Sequence, residues 1–153
     1  MNGKGVTTMS TEPDLGAQTG GSQHRIVVGI DGSDGSMRAL EWAAAEADRT
    51  GAVLDIQAAY EPTYEFITHD EVLRTMDRLV EKAQAIVTKL APRVTTTSET
   101  HIEYPARALI DASEGADLLV VGSRGLGGFK GLLLGSVSQK CSHHANCSIA
   151  IIR

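Results

Sequence analysis

Short apolar segments alternate with segments of helical periodicity along residues 25–153. The first apolar segment is Ile26-Val-Val-Gly-Ile30, and the last is Ser148-Ile-Ala-Ile-Ile152. Uninterrupted apolar runs of this length are typical of strands that are buried on both faces of a sheet. A regular strand–helix–strand order favours parallel pairing, with the helices covering both faces. The sequence therefore predicts an α/β fold with three layers.

The predicted elements begin and end at recognisable signals. Gly51 ends the first helix, Thr68 and Glu71 form a capping box before the second, and Pro105 suits the first position of the third. We predict strands at 26–30, 53–60, 94–103, 117–122 and 148–152, with helices at 37–50, 68–91, 105–113 and 136–145. Five such strands are expected in the order 3-2-1-4-5, as in Rossmann-like folds.

Composition limits the classes of partner. The chain has 153 residues, with 14 basic and 19 acidic side chains and a net charge of −5. This charge argues against nucleic acid and anionic membranes as partners. Residues 1–24 are rich in small polar residues, so we expect a disordered leader before a single domain at 25–153. Because we find neither an apolar run of about 20 residues nor a signal-peptide core, we expect a cytoplasmic protein.

A spaced glycine pattern follows the fourth predicted strand. Gly122-Ser-Arg-Gly125 is separated by nine residues from Gly135-Ser136. Glycine allows close approach of the backbone, and free N–H groups at a helix start attract anions. The pattern lacks the Gly-Lys-[Ser/Thr] of a Walker A loop. It predicts a phosphate site in which the hydroxyls of Ser136 and Ser138 donate, Ser136 also capping the helix.

The predicted topology brings a second motif to this loop. Strands one and four are neighbours whose connections leave on opposite faces, so their carboxyl ends should border one crevice. Asp31-Gly-Ser33 and the 122–136 loop would then face each other. The Asp31 carboxylate would accept hydrogen bonds from ribose hydroxyls, although a role as a helix cap alone is the competing interpretation. Together the motifs predict a nucleoside phosphate site.

Two further patterns have simpler explanations than a metal or catalytic site. Cys141, His143, His144 and Cys147 suggest zinc or a Cys–His catalytic pair, but three of them lie on one predicted helix and no third orienting group is evident. Packing explains the cysteines better. The Asp31–Ser36 turn resembles a calcium loop only superficially, because Trp42 stands where the bidentate Glu belongs. We therefore expect no protein metal site.

These residues resemble the universal stress protein family, in its ATP-binding branch. The resemblance covers residues 25–153 and rests on four segments: 26–33, Pro105-Ala106, 116–125 and 131–138. It implies an adenine nucleotide alpha hydrolase-like fold that binds ATP, with Mg²⁺ held mainly by the phosphates. It also implies a homodimer formed through the last strand, 148–152.

The resemblance implies a role for each matching residue. Asp31 would contact the ribose, while Ile30 and Ala59 would border the adenine. The implied nucleotide-binding residues are Ile30, Asp31, Gly32, Ser33, Ala59, Val121, Gly122, Arg124, Gly125, Gly135, Ser136, Val137 and Ser138.

The leading functional hypothesis is a nucleotide-responsive regulator of a stress response. No general base is evident, so we do not expect an enzyme, although slow ATP hydrolysis or autophosphorylation at Ser136 or Ser138 stays open. One alternative is a module that binds cyclic AMP, or that interacts with partners without a ligand. Another is an adenylylating enzyme, for which the 31–36 turn is an imperfect match.

Overall fold

The computed structural model describes residues 23–61, 68–127, 131 and 133–153. The expected leader at 1–24 falls almost wholly outside these ranges. The elements of the described chain are, in order, β1 (Arg25–Ile30), α1 (Asp34–Thr50), β2 (Val53–Ala59), α2 (His69–Leu90), β3 (Thr96–His101), α3 (Pro105–Ala112), β4 (Leu118–Gly122), α4 (Ser136–His144) and β5 (Ser148–Ile152).

The five strands form one parallel sheet in the order β3-β2-β1-β4-β5. In the central register, Ile26 lies between Leu54 of β2 and Leu118 of β4. This confirms the predicted α/β class and strand order. Since β1 and β4 are adjacent, the switch point lies between them, and their carboxyl ends share one edge of the sheet.

Two apolar clusters cover the two faces of the sheet and define the three layers. On one face, Ile26, Val28 and Ile30 of β1 pack with apolar residues of α1 and α2. On the other face, Val27 of β1 packs with Leu109 of α3, and Cys141 of α4 belongs to the same cluster. The alternation follows from the two-residue period of a strand. It places the starts of α1 and α4 on opposite sides of the same sheet edge.

The element boundaries differ from the predicted ones mainly at α1, which begins at Asp34 rather than at residue 37, and at the edge strand. The structure confirms the capping box, in which Thr68 and Glu71 bond each other's backbone N–H. It limits β3 to Thr96–His101, whereas the sequence predicted a strand over 94–103. These six residues are the ones that pair with β2. Because β3 is an edge strand that pairs only with β2 among the described strands, the extent of that pairing sets where β3 begins and ends. None of the helices in the described ranges is long and apolar enough to cross a membrane.

Candidate functional site

The turn from β1 into α1 is fixed by the Asp31 side chain. Its Oδ1 accepts hydrogen bonds from the Ser33 amide at 2.9 Å and from the Ser33 hydroxyl at 2.6 Å. Gly32 has a φ of +84°, which a residue with a side chain adopts only with strain. Ser33 then caps α1, its Oγ accepting from the Ser36 amide at 3.2 Å. The interpretation of Asp31 as the helix cap is therefore wrong, because Ser33 is the cap and Asp31 positions it.

Glycine allows β4 to end directly against the start of α1. A Cβ on Gly122 would lie 2.7 Å from the carbonyl carbon of Gly35 and 3.0 Å from the Ser36 nitrogen. A Cβ on Gly125 would collide with the Asp31 carboxylate oxygen Oδ2. The Gly35 backbone cannot shift without a large cost, and the Asp31 carboxylate is held in place by its hydrogen bonds. These two glycines are needed because of what lies beside them.

A hydrogen bond joins the two sequence motifs. The Leu126 amide donates to Oδ2 of Asp31 at 3.0 Å, across 95 residues of sequence. Asp31 and the loop after β4 therefore meet across the switch point, as the topology predicted. A carboxylate has about four acceptor positions, and Ser33 and Leu126 occupy three of them. One position on Oδ2 is left for a hydroxyl donor.

Asp31 is ionised at neutral pH. Burial raises the pKa of its carboxyl, but the hydrogen bonds that it accepts, chiefly from Ser33 and also from Leu126, outweigh burial and leave the pKa below its ordinary value of 3.8. A half-buried carboxylate that is charged and already oriented is an acceptor only. It suits a ligand hydroxyl group rather than a ligand anion.

The base of the glycine loop is held closed by the carbonyl of Ser123. It accepts from the Gly135 amide at 2.7 Å and from the Ser138 hydroxyl at 3.0 Å. The Ser123 amide in turn donates to Ile152 of β5 at 2.7 Å. Both ends of the loop are therefore fixed to the sheet, and residues 128–130 and 132 between them lie outside the described part of the chain.

The start of α4 differs from the sequence prediction in its cap. Gly135 is the N-cap, with extended φ and ψ of −74° and 166° and no side-chain cap bond, so the prediction that Ser136 caps the helix is wrong. Ser136 is the first helical residue and is exposed. Its amide and hydroxyl, and the amides after it, are available to an anion. Ser138 is only 2% exposed, and its hydroxyl donates to the carbonyls of Ser123 and Gly135. It therefore holds the loop.

The predicted apolar site residues lie around the same sheet edge. Ile30 is the last residue of β1 and Val121 the last but one of β4, and both are buried, on opposite faces of the sheet. Ala59 is half-buried at the end of β2, one residue beyond the pairing partner of Ile30. Val137 packs against the α3–α4 cluster. Ile30 and Ala59 thus lie at the carboxyl edge of the sheet, while the side chains of Val121 and Val137 belong to the apolar cluster on the α3–α4 face.

A cleft of about 400 Å³ opens between α1 and the glycine loop. This volume falls within the range of about 300–1,000 Å³ that small-molecule sites occupy. Its walls include three of the predicted site residues, Ser33, Arg124 and Gly125. They also include six residues that sequence reasoning did not assign to the site: Asp34, Gly35, Arg38, Ser123, Leu133 and Arg153. The position of Arg153 directly after a strand that neighbours β4 was the available signal.

Cys141, His143 and His144 lie in α4, and Cys147 follows this helix. Cys141 is fully buried, and burial raises the pKa of its thiol to about 11, so it remains protonated and inert. Within the described ranges, no three His, Cys, Asp or Glu side chains are grouped as metal ligands. Packing accounts for Cys141, as the sequence favoured.

Comparison with known proteins places the chain in a family. The model of the Universal stress protein family matches residues 23–153. A universal stress protein of Thermus aquaticus is 35% identical over 133 residues, which cover 84% of this chain and 97% of that protein. The chain belongs to the universal stress protein family. A Mycobacterium tuberculosis universal stress protein is 28% identical over the whole chain, which spans 52% of that relative.

Solved structures share the fold. A universal stress protein in complex with cAMP has a TM-score of 0.70 and 30% identity, covering 85% of this chain and 97% of that one. The universal stress protein UspA from Lactobacillus plantarum has a TM-score of 0.71 with 24% identity, covering the same shares of the two chains. The second likeness speaks for the fold alone.

Proposed function

We propose that this protein binds ATP in the crevice between Asp31 and the glycine loop, and that ATP occupancy sets its regulatory state in a stress response. The observation that carries the proposal is the bond from the Leu126 amide to Asp31. It joins a ribose acceptor to a loop of phosphate donors and leaves one acceptor position open.

Each part of ATP has a matching surface. Ile30 and Ala59 offer an apolar border for adenine, and Asp31 offers an oriented carboxylate for the ribose. The phosphates meet the amide donors at Gly125 and at the start of α4, with Arg124 beside them. Val121, Gly122 and Gly135 shape the backbone around these donors, and Gly32 and Ser33 hold Asp31. Since the described residues form no group of metal ligands, Mg²⁺ would be held mainly by the phosphates.

Regulation by occupancy fits the family better than catalysis. Universal stress proteins are generally stress regulators rather than enzymes. Asp31, the carboxylate proposed to hold the ribose, has a depressed pKa and accepts three hydrogen bonds, which makes it a poor general base. We therefore propose that ATP biases conformation or partner binding without rapid hydrolysis.

A second candidate ligand is cyclic AMP. A structural relative of 30% identity is a complex with cAMP. Cyclic AMP carries the same base but a single phosphate and no free 3′-hydroxyl, so it would use fewer of the loop donors.

Calorimetric titration with Mg·ATP and with cyclic AMP tests the proposal. We expect ATP to bind at sub-millimolar concentration, more tightly than cyclic AMP, and Asp31→Ala to weaken it. Absence of ATP binding at millimolar concentration would overturn the proposal. Binding of cyclic AMP without binding of ATP would show that cyclic AMP is the ligand of this site.

We also propose that two copies pair through β5. Ile149 to Ile152 form an edge strand whose outer ladder has no partner strand within the described residues, and their side chains are half-buried. An apolar edge strand of this kind is stabilised by pairing. Sedimentation of the wild type and of Ile151→Lys should give a dimer and a monomer, respectively.

A further inference from the structure

Three arginine side chains line the cleft from three separate elements. Arg38 lies in the second turn of α1, Arg124 in the loop after β4, and Arg153 directly after β5. One acidic residue of the described lining, Asp34, opposes them. The cleft is therefore locally positive in a chain whose net charge is −5.

These guanidinium groups are short of acceptors. Nε of Arg38 donates to the Arg153 carbonyl at 3.3 Å, and this is the hydrogen bond that the three side chains make within the described ranges. Several arginines elsewhere are paired with carboxylates. Arg25 meets Asp55 at 2.9 Å, and Arg93 meets Asp48 at 2.9 Å. Asp34 balances only part of the charge of the three arginines, and an anion would relieve their remaining repulsion.

The cleft continues the proposed nucleotide site. Ser33, Arg124 and Gly125 belong to both, and Gly125 lies against the carboxylate that would hold the ribose. A chain of phosphates leaving a ribose at Asp31 would pass the amides of the loop first and reach the arginines afterwards. Guanidinium groups suit the far end, because they bind phosphate oxygens in bidentate fashion.

We propose that Arg38 and Arg153, with Arg124, bind the distal phosphates of a nucleoside triphosphate and thereby select triphosphates over nucleotides with one phosphate. This inference rests on the proposed function. A monophosphate or cyclic nucleotide ends near the glycine loop and leaves Arg38 and Arg153 unused. Neither residue belongs to the glycine pattern of the sequence.

The test is calorimetry of the full chain with Mg·ATP, ADP, AMP and cyclic AMP, for the wild type and for the double variant Arg38→Gln/Arg153→Gln. We expect the wild type to bind ATP at least about tenfold more tightly than AMP, and the double variant to lose about tenfold or more of its ATP affinity. AMP affinity should change by less than about twofold, because the variant keeps Asp31 and the loop. The ATP affinity of Arg38→Lys should lie between those of the wild type and the double variant, since lysine keeps the charge but cannot make the bidentate contact of a guanidinium group.

The matched control is Arg78→Gln/Arg107→Gln, which removes the same charge from exposed positions on α2 and α3. It should bind all four nucleotides as the wild type does. Equal losses for ATP and AMP in the cleft variant, or no loss for ATP, would overturn the inference while leaving ATP binding intact. Failure of the wild type to bind any of the four would overturn the proposed function and the inference with it. Circular dichroism of each variant confirms that losses of affinity do not reflect unfolding.

Discussion

The two ends of the sheet differ in whether their arginines are paired with carboxylates. At the amino end, a cleft of about 250 Å³ between the end of α1 and the segment that precedes β3 contains Arg93, whose Nη2 and Nε donate to the two carboxylate oxygens of Asp48 at 2.9 and 3.2 Å. At the carboxyl end, the cleft of about 400 Å³ gathers Arg38, Arg124 and Arg153, and no Asp or Glu side chain of the described residues forms a salt bridge with them. The amino end satisfies its charges internally and is structural, whereas the carboxyl end leaves donors for a ligand.

The largest difference in stability and ATP binding is expected between glycine substitutions at the two ends of the sheet. Gly122→Val would drive a branched side chain into the Gly35 backbone, so we expect a loss of roughly 2–4 kcal/mol in the free energy of unfolding and no measurable ATP binding. Gly51, at the amino end, has a φ of +70° but open space around it. Gly51→Ala should cost about 1 kcal/mol from strain and leave ATP affinity unchanged. Urea denaturation and calorimetry measure both, and ATP binding by Gly122→Val would break the comparison.

Two aspartates give the next contrast. Asp31→Asn keeps the shape of the side chain but removes its charge, so we expect ATP affinity to fall about tenfold. Asp48→Asn frees Arg93 at the amino end and should change ATP affinity by less than about twofold. Equal effects of the two substitutions would show that the ends do not differ in ligand binding.

Two buried serines allow an effect on the glycine loop to be distinguished from an effect on stability alone. Ser138→Ala removes a hydrogen bond to Ser123, and Ser113→Ala removes bonds to Ile110 and Asn146 beside the end of α3. Each should destabilise the fold by about 1 kcal/mol. We expect Ser138→Ala alone to speed hydrogen exchange at Gly135 and to weaken ATP binding by a few fold. Exchange mass spectrometry together with calorimetry distinguishes them, and a binding loss in Ser113→Ala would count against the account.

The smallest effect is a dependence on pH. Because the pKa of Asp31 is lower in the folded state than its ordinary 3.8, the folded state binds fewer protons, and the carboxylate stabilises the fold above that value. This stabilisation is lost as the pH falls through the folded pKa. The stability difference between the wild type and Asp31→Asn should therefore be full near about pH 7 and shrink below about pH 4. Urea denaturation across this range measures it, and a difference that grows on acidification would contradict the depressed pKa.

The fold and the contact between the two motifs could be predicted from the sequence. Apolar runs such as 26–30 and helix signals such as Thr68 with Glu71 are local, so local patterns were sufficient, and the strand order followed from general topology. The pairing of Asp31 with the 122–136 loop then followed from that order. The nucleotide contacts of the implied site residues remain predictions.

What the sequence left out depends on distance or on backbone angles. Arg38 and Arg153 are separated by 115 residues and lie close together only because α1 begins, and β5 ends, at the same edge of the sheet. The cap of α4 was assigned to Ser136 on residue preference, yet the backbone turns at Gly135 and carries Ser136 into the helix. Ser138 looked like a ligand donor until its burial against the Ser123 carbonyl was visible. Side-chain direction of this kind is a tertiary property.

The central claim is that the carboxyl end of the sheet, and not the amino end, binds an adenine nucleotide. Its most direct test is a titration of the ¹⁵N-labelled protein with Mg·ATP, followed by amide NMR shifts. The account predicts saturable shifts at Asp31, Ser33, Gly125, Leu126 and Ser136, with the amides of 48–52 and 93–95 unmoved. Absence of shifts, or shifts confined to the amino-end cleft, would contradict it.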